Sequence, residues 1–139
     1  MELTFTFDAS NHLLHATLAG RFSLSDAQTT FVGILGALVQ HQAKKVLVDG
    51  RAITGEPETM ERFYYGKFVA DALLDSINHG LVDAPQFAYV LLEPVLDRRR
   101  LGETVAVNRG MFVKVFDNLG AAEHWLGIAL PPAAHTAGL

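Results

Sequence analysis

The chain has 139 residues, half of them hydrophobic and 19% charged, with a formal net charge of -4 and no cysteine. That length suits one domain able to bury about two thirds of its unfolded surface, and the composition argues against extensive disorder. The acidic balance argues against a general nucleic-acid binder, and the lack of cysteine removes disulfides, thiolate chemistry and sulfur-ligated metals.

The chain opens Met-Glu-Leu-Thr with no leader pattern, and no apolar run approaches the roughly 20 residues of a membrane span. A cytoplasmic α/β protein without an integral membrane segment is therefore expected. Leu3 to Phe7 alternates with period two, as a half-buried strand does. Asp8 to Asn11 supplies turn residues, and His12 to Phe22 resumes as the second strand of a hairpin. Ser23 is the N-cap expected for the next helix, with Asp26 placed as in a capping box. Ala27, Phe31, Ile34, Leu35 and Leu38 form its apolar face, and it closes near His41. Gly33 and Gly36 read as close packing rather than a phosphate loop, because neither sits in a strand-to-helix turn.

Val46-Leu47-Val48 is a strand buried on both faces. Asp49-Gly50 breaks the run, Gly55 permits a positive φ, and Pro57 suits the first turn of a helix. A long helix over about Glu58 to Asn78 places Met60, Phe63, Ala70, Leu74 and Ile77 along one side. Tyr64, Tyr65, Phe68 and Val69 spread round the cylinder, so it needs cover beyond its own sheet. A second copy of the chain would supply that cover, as would Leu81-Val82 with the next helix. Gln86 to Leu92 is a further strand, and Val95 to Asn108 a shorter helix carrying Arg98-Arg99-Arg100. Met111 to Phe116 is a strand, with Lys114 marking an edge. Asp117 or Asn118 caps a last helix bearing Ala121, Ala122, Trp125 and Leu126, which Leu130-Pro131-Pro132 ends. The expected order is ββαβαβαβα, a mixed sheet packed with helices over residues 1–130, followed by a loose tail over 131–139.

Two segments resemble the STAS superfamily, in its stand-alone SpoIIAA-like bacterial branch. They are Lys45-Val46-Leu47-Val48-Asp49-Gly50-Arg51 with Gly55, and Val113 to Asn118 leading into Ala121-Ala122-Glu123-His124-Trp125-Leu126. With the turn Ala19-Gly20-Arg21-Phe22-Ser23, the likeness spans about residues 3 to 128. It implies a non-enzymatic switch of the anti-sigma-factor-antagonist type, with no cofactor. Such a switch docks on a regulatory protein, commonly a kinase-type anti-sigma factor, through the loop after the third strand and the helix behind it. Here that loop is Asp49, Gly50, Arg51, Thr54 and Gly55.

The family's switch is a serine directly after the loop aspartate, and this chain has Gly50 there. Thr54 is the one hydroxyl between Asp49 and Gly55 and so the candidate phospho-acceptor. Glu56, Glu58 and Glu61 already favour the helix dipole, so a phosphate of charge about -1.5 to -2 on Thr54 would disturb the loop more than order it. That suits an off-switch, and it equally suits a threonine that only completes a turn.

Other chemistry is sparse. His12 and His15, three apart on a strand, point to opposite faces. His41 and His79 lie near helix C-termini, His124 is on the last helix and His135 in the tail. No metal motif links them. No nucleophile elbow occurs. Asp49 would serve as a general base only if burial raised its pKa; the simpler role is to accept hydrogen bonds in its own turn, with Arg51 pairing across it. Arg98, Arg99 and Arg100 are a candidate anion contact, although three adjacent charges on a helix fan apart. The alternative to a protein-docking module is a binder of an apolar, lipid-like molecule, for which Phe63, Tyr64, Tyr65 and Phe68 beside Phe87 and Tyr89 are the candidate pocket.

Overall fold

In the computed structural model, which describes residues 1–128, the elements follow the expected order. They are β1 (Glu2–Asp8), β2 (Leu13–Arg21), α1 (Leu24–His41), β3 (Lys45–Thr54), α2 (Thr59–His79), β4 (Gln86–Val90), α3 (Leu101–Asn108), β5 (Val113–Phe116) and α4 (Leu119–Leu126). The expected stop at Leu130-Pro131-Pro132, the tail over 131–139 and His135 lie outside the described residues.

The strands stand in the order β1-β2-β3-β4-β5. β1 is antiparallel to β2, and every later pair is parallel. Each parallel step needs a crossover, and crossovers of one hand advancing in one direction put their helices on the same face. So α1, α2 and α3 share a core with Leu14, Ala16, Val46, Val48, Phe87 and Tyr89, while α4 covers Leu13, Leu47, Ala88 and Val90 from the other face. The period-two alternation of each strand feeds both cores.

Local chemistry sets the ends of these elements. The Ser23 side chain accepts from the Asp26 N–H at 3.1 Å and starts α1, and the Asn118 side chain accepts from the Ala121 N–H at 2.8 Å and starts α4. The expected face of α1 is buried throughout. Gly33 is a close-packing position, since a Cβ there would fall 2.9 Å from a Leu3 methyl; Gly36 meets nothing within 4 Å. Lys114 is exposed on β5, which is an edge strand.

Five expectations need correction. The strand does not break at Asp49-Gly50, because β2 carries β3 on to Thr54 through a register shift between Thr17 and Ala19, a β-bulge that absorbs the irregular residues. Pro57 precedes α2 rather than opening it, since Glu58 is the N-cap. Residues 95–100 are not helical. The Asp97 carboxylate accepts from the N–H groups of Arg99, at 3.1 Å, and Leu101, at 3.0 Å, and so competes with the helical bonds and delays α3 to Leu101. His12 is a turn residue with φ of 51° rather than part of the strand. The faces of α2 also differ from the expected stripe: Gly66, Val69, Ala70 and Leu73 are buried, whereas Met60, Tyr64 and Leu74 are exposed. The reason is α3, which packs on the side marked by Gly66.

Candidate functional site

The parallel strands all end at one edge of the sheet, and there the chain presents β3, the start of α2 and the segment 91–100. Pairing of β3 with β4 stops at Asp49 and Val90, so Gly50 to Thr54 runs on with β2 alone. Arg51, Ala52 and Thr54 on this projecting stretch are exposed.

Asp49 and Arg51 form its polar handle. Arg51 Nε donates to Asp49 Oδ1 at 2.9 Å, its Nη2 donates to Oδ2 at 2.8 Å, and its backbone N–H donates to Oδ1 at 3.2 Å. The Arg51 guanidinium holds the Asp49 carboxyl below its ordinary value, against the upward push of partial burial. A general base would need the opposite shift, so Asp49 is tied down rather than poised. Among the described residues no histidine hydrogen-bonds to it. The Nε2 of His15 is buried without a hydrogen-bond partner among the described residues.

Gly50 faces the opposite way, into the core. A Cβ there would fall 2.6 Å from a Leu91 methyl and 2.9 Å from Ile53 Cδ1, so the position that the resemblance gives to serine has no room for a side chain as packed. Thr54 is the last residue of β3, and its carbonyl accepts from the Phe22 N–H at 2.8 Å. Gly55 then turns the chain with φ of 99°, a conformation for which glycine is the natural residue. At the start of α2 the Glu61 side chain reaches back to the Glu58 N–H at 2.8 Å, so a carboxylate already serves this helix N-terminus. Thr59, which the sequence reading did not single out, is the exposed first residue of α2 and directly follows Glu58. Its signal was present in the sequence as an acid followed by a hydroxyl before an apolar helix, but it was hidden while the helix start was placed one residue early.

The arginine triplet lies along the same edge and fans apart. Arg98 pairs with Glu93 at 2.9 Å in solvent. Arg100 turns inward to Glu103 at 3.3 Å and to the Val115 carbonyl. Arg62 of α2 donates to the carbonyls of Pro94, at 2.8 Å, and Val95, at 2.7 Å, which anchors this segment.

The four candidate aromatics do not share one pocket. Tyr65 points into the core, where its hydroxyl lies 2.8 Å from that of Tyr89; burial pushes the Tyr65 phenol up to about 12 and raises the Tyr89 phenol well above its ordinary value. Tyr64 and Phe68 line a shallow groove with Leu24 and Gln28 of α1, and Phe63 packs edge-on against Tyr64. The remaining histidines are likewise engaged in structure or exposed: His41 stacks on Phe7 at 4.5 Å, His79 pairs with Asp75 at 3.2 Å, and His124 is exposed. Among the described residues no three metal-binding side chains cluster, and no helix is long and apolar enough to cross a membrane.

A five-stranded mixed sheet with three crossover helices on one face and a terminal helix on the other is the STAS fold, of the SpoIIAA-like kind. Among solved structures the chain is similar to an anti-sigma factor antagonist from Mycobacterium paratuberculosis, with a TM-score of 0.53 and 12% identity over 91% of this chain and 96% of that one. At that identity the likeness is one of fold. No protein-family model and no curated protein matches the chain.

Proposed function

We propose that this chain is a non-enzymatic regulatory module that docks on a protein partner through Asp49 to Gly55 and the adjoining α2. The observation that carries the reading is the projection of β3 beyond β4, which offers Arg51, Ala52 and Thr54 on a rigid support at the edge where α/β proteins commonly meet their ligands. The fold shared with an anti-sigma factor antagonist supports an anti-sigma factor as the class of partner, in a cytoplasmic setting. The Asp49–Arg51 pair fixes the guanidinium for recognition of a partner carboxylate. Of the triplet Arg98-Arg99-Arg100, Arg98 and Arg100 are paired within the chain, and the exposed Arg99 adds a secondary contact for an anionic group at the same edge.

Regulation by phosphate at Thr54 belongs to this reading, and Thr59 is a second acceptor at the same turn. A phosphate at either position stands near Glu56, Glu58 and Glu61, and the repulsion disfavours the docked state. The outer face of α2, with Met60, Tyr64 and Leu74 exposed, is the surface through which two copies would pair.

The test is saturable binding of an affinity-captured protein to the purified chain. Arg51→Glu is expected to weaken it at least about tenfold, and Lys44→Glu, at the opposite edge of the sheet, to leave it unchanged. Binding indifferent to Arg51→Glu would exclude docking through this stretch.

A further inference from the structure

Behind the docking edge, between the sheet and the α2–α3 pair, lies a cavity of about 120 Å³ whose lining includes Leu18, Ile53, Tyr65, Val69, Tyr89 and Ala106. Apolar cavities of roughly 150 Å³ stay dry and accept benzene, so the space suits a molecule of about that size rather than a long acyl chain.

Its one neutral polar feature is the Tyr65–Tyr89 pair. Two hydroxyls carry two protons, and the bond between them uses one. Among the described residues neither hydroxyl has another hydrogen-bond partner, so one O–H is left to donate. A water molecule would need two to four polar partners, and this apolar lining offers it the hydroxyl pair alone. The charged groups at the margin are engaged elsewhere: the Met1 ammonium with Asp26, Arg62 with the Pro94 and Val95 carbonyls, Asp97 with the N–H groups of Arg99 and Leu101, and Arg100 with Glu103. They offer no counter-charge to an ionic ligand.

We infer that the cavity holds a small, neutral, mainly apolar molecule of about benzene's size, bearing one hydrogen-bond acceptor that the Tyr65–Tyr89 pair receives. The cavity lies inside the docking edge, with which it shares Ile53 of β3, Arg62 of α2 and residues of the segment 91–100 as walls. Its failure would leave the docking reading untouched.

Phenol and toluene are the probes, because they match in size and differ in the polar group. Methyl chemical shifts of Leu18, Val69 and Ala106 are followed during titration. Both probes are expected to give saturable shifts at these methyls. The double variant Tyr65→Phe/Tyr89→Phe removes both hydroxyls, and so leaves no orphan. It is expected to lose about tenfold in phenol affinity while toluene binding holds. Ala106→Leu, which fills the space, is expected to abolish both. Should that variant not fold, as judged by circular dichroism, xenon-induced shifts at the same wild-type methyls serve in its place. The inference is overturned if no probe shifts these methyls, if the shifts survive Ala106→Leu in a folded protein, or if phenol and toluene respond alike to the tyrosine changes.

Discussion

Gly66 on α2 and Gly102 on α3 meet backbone to backbone: a Cβ on Gly66 would fall 3.1 Å from the Gly102 Cα and closer still to its carbonyl oxygen. Helices approach this closely only where a side chain is missing, and the approach lets α3 close over the cavity and over one side of α2. Gly66→Ala must push rigid backbone aside, and a loss of about 1–3 kcal/mol is expected in urea unfolding. Gly36→Ala on α1, where a Cβ meets nothing within 4 Å, is expected to stabilise by about 1 kcal/mol through helix propensity. The opposite signs of two formally identical changes make the comparison sharp.

The Asp49–Arg51 pair gives a pH dependence. Arg51 lowers the folded-state pKa of Asp49, so the pair contributes stability above the unfolded value of about 3.9, and that contribution is lost as pH falls through the lower folded value. Arg51 is 43% exposed, so solvent screening limits the effect. Arg51→Ala is expected to cost about 0.5–1 kcal/mol at pH 7. The gap between wild type and variant should close on acidification below about pH 4, as measured by denaturant midpoints across that range.

Gly50 provides a third test. Its would-be Cβ meets the ends of Leu91 and Ile53 rather than backbone, and such side chains can give way. Gly50→Ser is expected to fold with a loss of about 1–2 kcal/mol, its hydroxyl directed into the core. A kinase that modifies Thr59 or Thr54 in wild type should leave the introduced hydroxyl unmodified in this variant, which phosphopeptide mass spectrometry would read directly.

Much of this architecture was legible in the sequence. The order of elements, the mixed sheet, both side-chain caps and the positive φ at Gly55 follow from alternation, turn chemistry and capping, all of which act over a few residues. The end of β3 was not legible, because Asp49-Gly50 has turn composition and only pairing with β2 holds it extended. The false helix over 95–100 has the same origin: Asp97 redirects the backbone through bonds that hydrophobic periodicity does not register. The apolar face of α2 was misread because Gly66, its closest contact with α3, counts as neither apolar nor polar in a periodic pattern. Of the candidate site, the Asp49–Arg51 pair was foreseen. The inward position of Gly50, the exposure of Thr59 and the Tyr65–Tyr89 contact depend on packing between distant segments.

Self-association is tested by light scattering. Pairing through α2 predicts a mass twice the 15.1 kDa of one chain, reduced to a single copy by Leu74→Glu. A wild-type monomer would remove the homodimer from the account and leave docking intact.

Amide hydrogen exchange of the chain with and without its captured protein partner tests the docking surface most directly. The account predicts that slowing on binding is concentrated from Arg51 to Arg62 and in the neighbouring segment 92–100. Slowing confined to β1 and the outer surface of α1, with Arg51 to Arg62 unchanged, would contradict it.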